Sequence, residues 1–174
     1  MKRLIVGISG ASGVMLGKRF VEALPAEIEV FIIVSDHAKV VFAREEKTHV
    51  LDNADIGAVS ASGSFQTDGM IIVPCSMNTL AKIACGIGDN LLTRTAAVML
   101  KERRPLVLAP REMPFSAIAL ENMHKLSVLG VTIAPPVMGY YAQPDSLEMM
   151  EDFLIGKWFD LLGIPHALYK RWQG

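Results

Sequence analysis

Residues 4–13 read LIVGISGASG. An apolar β-type run passes straight into glycines at 7, 10 and 13, and helix-forming residues follow. The expected local form is strand, glycine turn and helix, the arrangement with which nucleotide-binding α/β units also begin. The dinucleotide order G-x-G-x-x-G is broken, because position 9 is Ser. Whether the turn holds a dinucleotide, a single nucleotide or nothing depends on what ends the other strands.

Further strands are expected at Val30–Val34, Met70–Val73, Leu106–Ala109 and Val131–Ala134, after Leu4–Ile8. They are continuous apolar runs, the mark of strands covered on both faces of a parallel sheet. Helices are expected between them. Leu16, Phe20, Val21 and Leu24 share one face before Pro25, and Ser35 starts a helix carrying Ala38, Val41 and Phe42. Others run from Thr79 to Ile87, Leu91 to Arg103, Ser116 to Leu129, and Ser146 to Leu162, with Gly130 and Gly163 placed to end the last two. The alternation predicts one α/β domain over residues 1–174, a doubly wound three-layer sandwich with a parallel sheet. Lys47–Asp68 shows no regular period and reads as a surface loop.

The formal charge of −1 gives no reason to expect nucleic acid as a partner. No apolar run approaches the roughly 18–20 residues of a membrane span. The start MKRLIV resembles a signal peptide only faintly and continues as strand and helix, so the chain reads as mature cytoplasmic protein. At 51% hydrophobic residues, it predicts buried surface beyond a monomer core. Cys75 and Cys85 make no zinc pattern, and a disulfide does not suit a reducing compartment. His37, His49, His124 and His166 have no metal-ligand spacing, so no metal is expected.

Polar residues collect where strands end. Ser9-Gly10-Ala11-Ser12-Gly13 follows the first, Ser35 the second, and Pro74 through Thr79 the third. Arg111-Glu112 follows the fourth, and Tyr140-Tyr141 the fifth. Ligands of open parallel sheets bind outside these carboxyl ends. Gly10 and Gly13 admit close approach, and the next helix offers free N–H groups and a positive dipole end to phosphate. Ser12, Ser35, Ser76 and Thr79 are equally good as donors to an anion or as plain caps. No acidic residue clearly ends the second strand to hold an adenine ribose, so a mononucleotide such as FMN fits better than NAD. Arg94, Lys101, Arg111 and Lys157 suggest a second anion site, with Glu112 beside Arg111 as a proton shuttle. Ordinary loops and a solvated basic stripe remain the alternative.

The segments GISGASG, ASGSFQTDGMIIVPCSMNTLAKIA, DNLLTRTAAVMLKERRPLVLAPREMPFSAIALENM and GYYAQP resemble the UbiX flavin prenyltransferases, formerly described as aromatic acid decarboxylase subunits. The likeness runs from Lys2 to Trp172, and its most specific part is LKERRPLVLAPREMPFS followed by LENM. The resemblance implies a Rossmann/flavodoxin-like fold assembled as a homododecamer with active sites at subunit interfaces. It implies metal-free transfer of a dimethylallyl group from its phosphate to N5 and C6 of reduced FMN. The prenylated FMN then passes to a UbiD-type decarboxylase.

Position by position, the resemblance puts Gly10, Ala11, Ser12, Ser35, Ser76, Met77, Thr79 and Arg94 around FMN. It puts Lys101, Arg111, Tyr141 and Lys157 on the prenyl phosphate. Glu112, Ser12 and Glu45 become catalytic, and a C-terminal segment of about residues 164–174, with Trp172, covers the site. Departures are Lys157 where many members have Arg, Asn78 and Ala142 in their turns, and a first helix without its frequent aromatic residue. They leave the choice of mono- or diphosphate donor open. Two other readings compete: FMN-dependent oxidative decarboxylation of a peptidyl cysteine, and a non-catalytic FMN-carrying decarboxylase subunit. Neither needs Lys101, Arg111 and Glu112 as a second phosphate site.

Overall fold

A computed structural model of the chain describes residues 2–10, 12–35, 38 and 46–171. Six parallel strands form one sheet: β1 (Arg3–Ile8), β2 (Glu29–Val34), β3 (Thr48–Leu51), β4 (Gly69–Cys75), β5 (Leu106–Pro110) and β6 (Thr132–Ile133). Their order is β3-β2-β1-β4-β5-β6. That is the Rossmann order, with its reversal between β1 and β4. Among the described residues, five α-helices cover the faces: α1 (Val14–Glu22), α2 (Met77–Ala84), α3 (Leu91–Lys101), α4 (Ala117–Val128) and α5 (Leu147–Leu161).

Alternate side chains of β1, β2, β4 and β5 enter two separate cores, which is why their runs are apolar without interruption. Ile5, Ile33, Ile72 and Leu108 pack under α2, α3 and α4. Val6, Ile32, Ile71 and Val107 pack under α1 and α5, where Phe20 meets Phe159 edge-on at 5.0 Å between centroids. Each such aliphatic side chain, wholly removed from water, contributes about 1.5–3 kcal/mol before entropy is charged. The three-layer sandwich expected from the sequence is therefore the one observed.

The expected loop at Lys47–Asp68 is corrected. It holds the edge strand β3 and a 3₁₀ turn at Val59–Ala61. Four residues of half-exposed edge strand carry too short a pattern to stand out. Pairing of Val30–Ile33 with Thr48–Leu51 supplies the missing signal through tertiary contact. The helix expected after Ser35 falls largely outside the described residues. The helix predicted from Thr79 starts at Met77, because Ser76 is its cap.

Candidate active site

The strand order brings the ends of β1 and β4 together at the point where the sheet reverses direction. A row of hydrogen bonds aligns four strand ends. The Ser35 amide donates to the Ile8 carbonyl at 2.9 Å, and the Ser9 amide to the Pro74 carbonyl at 3.1 Å. The Arg111 amide reaches the Cys75 carbonyl at 3.4 Å. Ser9, the residue that breaks the dinucleotide order, is the latch. Its buried hydroxyl accepts from the Ser76 amide at 3.0 Å and donates to the Pro74 carbonyl at 3.3 Å. Ser9→Ala strips the Ser76 amide of its acceptor and is expected to cost about 1–3 kcal/mol. Thermal unfolding checks this, and an unchanged midpoint would remove the latch.

A cavity of about 130 Å³ opens beside the latch. The glycine turn supplies Ser9, Gly10 and Ser12, the β4–α2 turn supplies residues 74–77, and the end of β5 supplies Arg111 and Glu112. Gly10 and Gly13 have φ of +91° and +83°, where a Cβ is strained. A Cβ on Gly13 would also lie 3.4 Å from Cδ of Arg111. The bare backbone thus lets the Arg111 stem lie along the loop.

Three observations point to an anionic ligand here. First, α2 through α5 are each capped by a Ser or Asn side chain, whereas no side chain caps α1. The start of α1 follows the glycine turn and carries the positive end of the helix dipole. Second, the Ser35 hydroxyl is buried at the end of β2 without a hydrogen-bond partner among the described residues. A buried orphan costs about 1–3 kcal/mol unless a ligand or water satisfies it. Third, the Arg111 and Glu112 side chains form no ion pair among the described residues, although both line the cavity. Among the described residues, Glu112 Oε1 accepts from the Met113 amide alone, at 3.0 Å.

The hydroxyls of Ser76 and Thr79 divide differently. Ser76 Oγ accepts from the Thr79 amide at 3.2 Å and donates to Thr79 Oγ1 at 3.0 Å, so both are engaged in capping α2. Met77 lines the cavity, and Thr79 does not. Cys75 is inert as a nucleophile, since complete burial pushes its thiol up to about 12.

The four cations of the expected second anion site do not meet within one chain. Arg111 is at the cavity. Arg94 sits exposed in the first turn of α3, packed by its backbone against Gly88. Lys101 ends α3, just before β5 begins, and lies 3.0 Å from Glu102. It is therefore at the amino edge of the sheet, opposite the glycine turn. Lys157 and Tyr141 line another cavity, of about 330 Å³, which also includes Pro135, Phe153 and Trp158 and shares no residue with the first. Ala11, Glu45 and Trp172 lie outside the described residues. The latch role of Ser9 escaped the sequence reading because a strand-end serine looks like any other turn residue.

Among the described residues, no three His, Cys, Asp or Glu side chains are grouped to hold a metal ion. No helix among them is long and apolar enough to cross a membrane.

A Rossmann-ordered sheet with an anion-receptive pocket at its switch point defines a nucleotide-binding α/β protein. The sequence profile of the Flavoprotein family matches residues 1–158. The flavin prenyltransferase UbiX of Helicobacter pylori is 54% identical, with 98% of each chain covered. A dodecameric FMN-dependent UbiX-like decarboxylase from Escherichia coli O157:H7 superposes with a TM-score of 0.91 at 40% identity, covering 99% of this chain and 100% of that one. AnUbiX, solved in complex with FMN and dimethylallyl pyrophosphate, gives 0.92 at 40% identity, covering 99% and 98%. The chain belongs to the UbiX flavin prenyltransferases of the flavoprotein family.

Proposed function

We propose that the chain transfers a dimethylallyl group from dimethylallyl phosphate to N5 and C6 of reduced FMN. The observation that carries this reading is Arg111 and Glu112 side by side at the mouth of the glycine-turn cavity. Reduced FMN supplies the electron-rich acceptor atoms. The glycine turn, the start of α1 and Ser35 suit its binding, through backbone N–H groups and an unsatisfied hydroxyl. Ser12, Ser76, Met77, Thr79 and Arg94 complete that assignment. Ser76 and Thr79 act by fixing the turn.

As the allylic C–O bond breaks, negative charge grows on the phosphate. Arg111 grips it with a planar fork, and Lys101 and Lys157 add point charges. Glu112 passes a proton between the acceptor and the departing phosphate. Ser12 and Glu45 assist at the acceptor.

A cavity of 130 Å³ is far below the roughly 300–1,000 Å³ of complete ligand clefts. The described residues of one chain thus supply part of the site, and in this reading copies of the chain complete it. Exposed Met113, Ile118, Val128 and Leu129 offer apolar surface for such contacts, and the dodecameric relative from Escherichia coli supports a homododecamer here. We read residues 1–174 as one FMN-binding domain whose segment 164–174 covers the site. The cytoplasm is its compartment and a UbiD-type decarboxylase the recipient of its product.

The test is anaerobic. The protein is mixed with FMN, dithionite and dimethylallyl monophosphate, and the extracted flavin is weighed by mass spectrometry. A gain of one five-carbon prenyl unit is expected, with the diphosphate run in parallel as donor. Unmodified FMN with both donors would overturn the reading in favour of a carrier or a cysteine decarboxylase.

A further inference from the structure

Beyond α5 the chain turns at Gly163 and runs back along the helix, where one carboxylate collects four contacts. Asp160 accepts from Tyr169 Oη at 2.6 Å and from Arg171 Nη1 and Nη2 at 3.1 and 2.7 Å. His166 Nε2 lies 3.1 Å from the same carboxylate. The other ring nitrogen, Nδ1, accepts from the Leu168 amide at 3.2 Å. Nδ1 therefore carries no proton, and Nε2 is the donor to Asp160. The Arg171 guanidinium, followed by Tyr169 and His166, holds the Asp160 carboxyl well below the usual carboxylate range against the opposing effect of burial. Burial, with the Asp160 hydrogen bond next, pushes the Tyr169 phenol up to about 12.

The helix is shaped to receive this segment. A Cβ on Gly156 would lie 2.5 Å from Cδ1 of Tyr169 and 2.7 Å from Cε1 of His166. From Tyr169 a line of rings leads away: Phe153 at 5.2 Å between centroids, then Tyr141 at 5.6 Å, both edge-on. Phe153 and Tyr141 line the same cavity as Lys157. α5 itself is already anchored by Ile155, Trp158 and Phe159, all at most 2% exposed. The clasp is therefore not needed to hold the helix. It holds the returning segment, and with it the Tyr169 ring that packs on Phe153.

We propose that Asp160 is a positioning residue for Tyr141. It clasps residues 164–171 along α5, and the Tyr169–Phe153 contacts set the Tyr141 phenol in the cavity that Lys157 also lines, where the donor phosphate is recognised. This rests on the prenyl transfer proposed above. The test compares the wild-type assembly with Asp160→Asn and with Tyr169→Leu, which removes the ring but keeps the carboxylate. Hydrogen exchange of residues 137–141 and 164–171 is measured without any ligand, alongside kinetics with dimethylallyl monophosphate. Both variants are expected to speed exchange in both segments. They are also expected to raise KM for the donor about tenfold, the scale of one charged hydrogen bond, with kcat and FMN affinity within about twofold. Faster exchange in 164–171 alone, with KM unchanged, would make the clasp purely structural and overturn the proposal. Should Asp160→Asn not assemble, Tyr169→Leu decides by the same two readouts. A wild type that binds FMN but prenylates nothing would sink the reaction itself, an outcome separate from any difference between variants.

Discussion

Glu112→Gln is expected to keep FMN bound and to slow prenyl transfer by about 10²–10⁴-fold, the range for losing a positioned acid–base group. The substitution is close to isosteric, and a glutamine oxygen can still accept from the Met113 amide as Glu112 Oε1 does at 3.0 Å. The side chain is exposed, so no core packing changes. What disappears is the capacity to take and return a proton beside Arg111. Flavin affinity, read by fluorescence quenching, separates this loss from a damaged pocket. The rate is read from the mass of extracted flavin over time. A rate close to wild type would remove Glu112 from the mechanism, and lost flavin binding would reassign it to the cofactor pocket.

The contrast between Glu112 and Lys101 shows what the sequence could and could not reveal. The strands announced themselves because burial on both faces leaves unbroken apolar runs. Their order followed only as a class, since Thr48–Leu51 pairs at the edge with too few residues to carry a period. The gathering of polar residues at the glycine turn was legible because strand ends face one edge of a parallel sheet. Ser9 was visible as a departure from a motif, but its role as a latch needed the Pro74 and Ser76 positions across the switch point. The cluster of Arg94, Lys101, Arg111 and Lys157 was legible as a set of charges only. Helical spacing puts Arg94 and Lys101 on one face of α3, yet says nothing about which end of the sheet that face reaches. The Asp160 clasp was illegible, because its partners lie six to eleven residues downstream in a segment without periodicity.

That separation yields the second large effect. β5 is five residues long, about 16 Å at 3.3 Å per residue, and it lies between the segment carrying Lys101 and Arg111. No lysine side chain closes such a gap, so a phosphate held by both must sit between chains. Lys101→Ala and Arg111→Ala are each expected to cost about 10²–10³-fold in transfer rate, as for removal of one electrostatic stabiliser. Co-expressed with different tags and purified as mixed assemblies, the two defective chains are expected to regain activity. An intact site needs Lys101 from one variant and Arg111 from the other, so equal random mixing restores about a quarter of the sites. A doubly substituted chain co-expressed with wild type is the control for assembly. Mixed assemblies no more active than either parent would show that the two residues do not serve one phosphate. Recovery near a quarter would fix Lys101 and Arg111 on opposite sides of a subunit boundary.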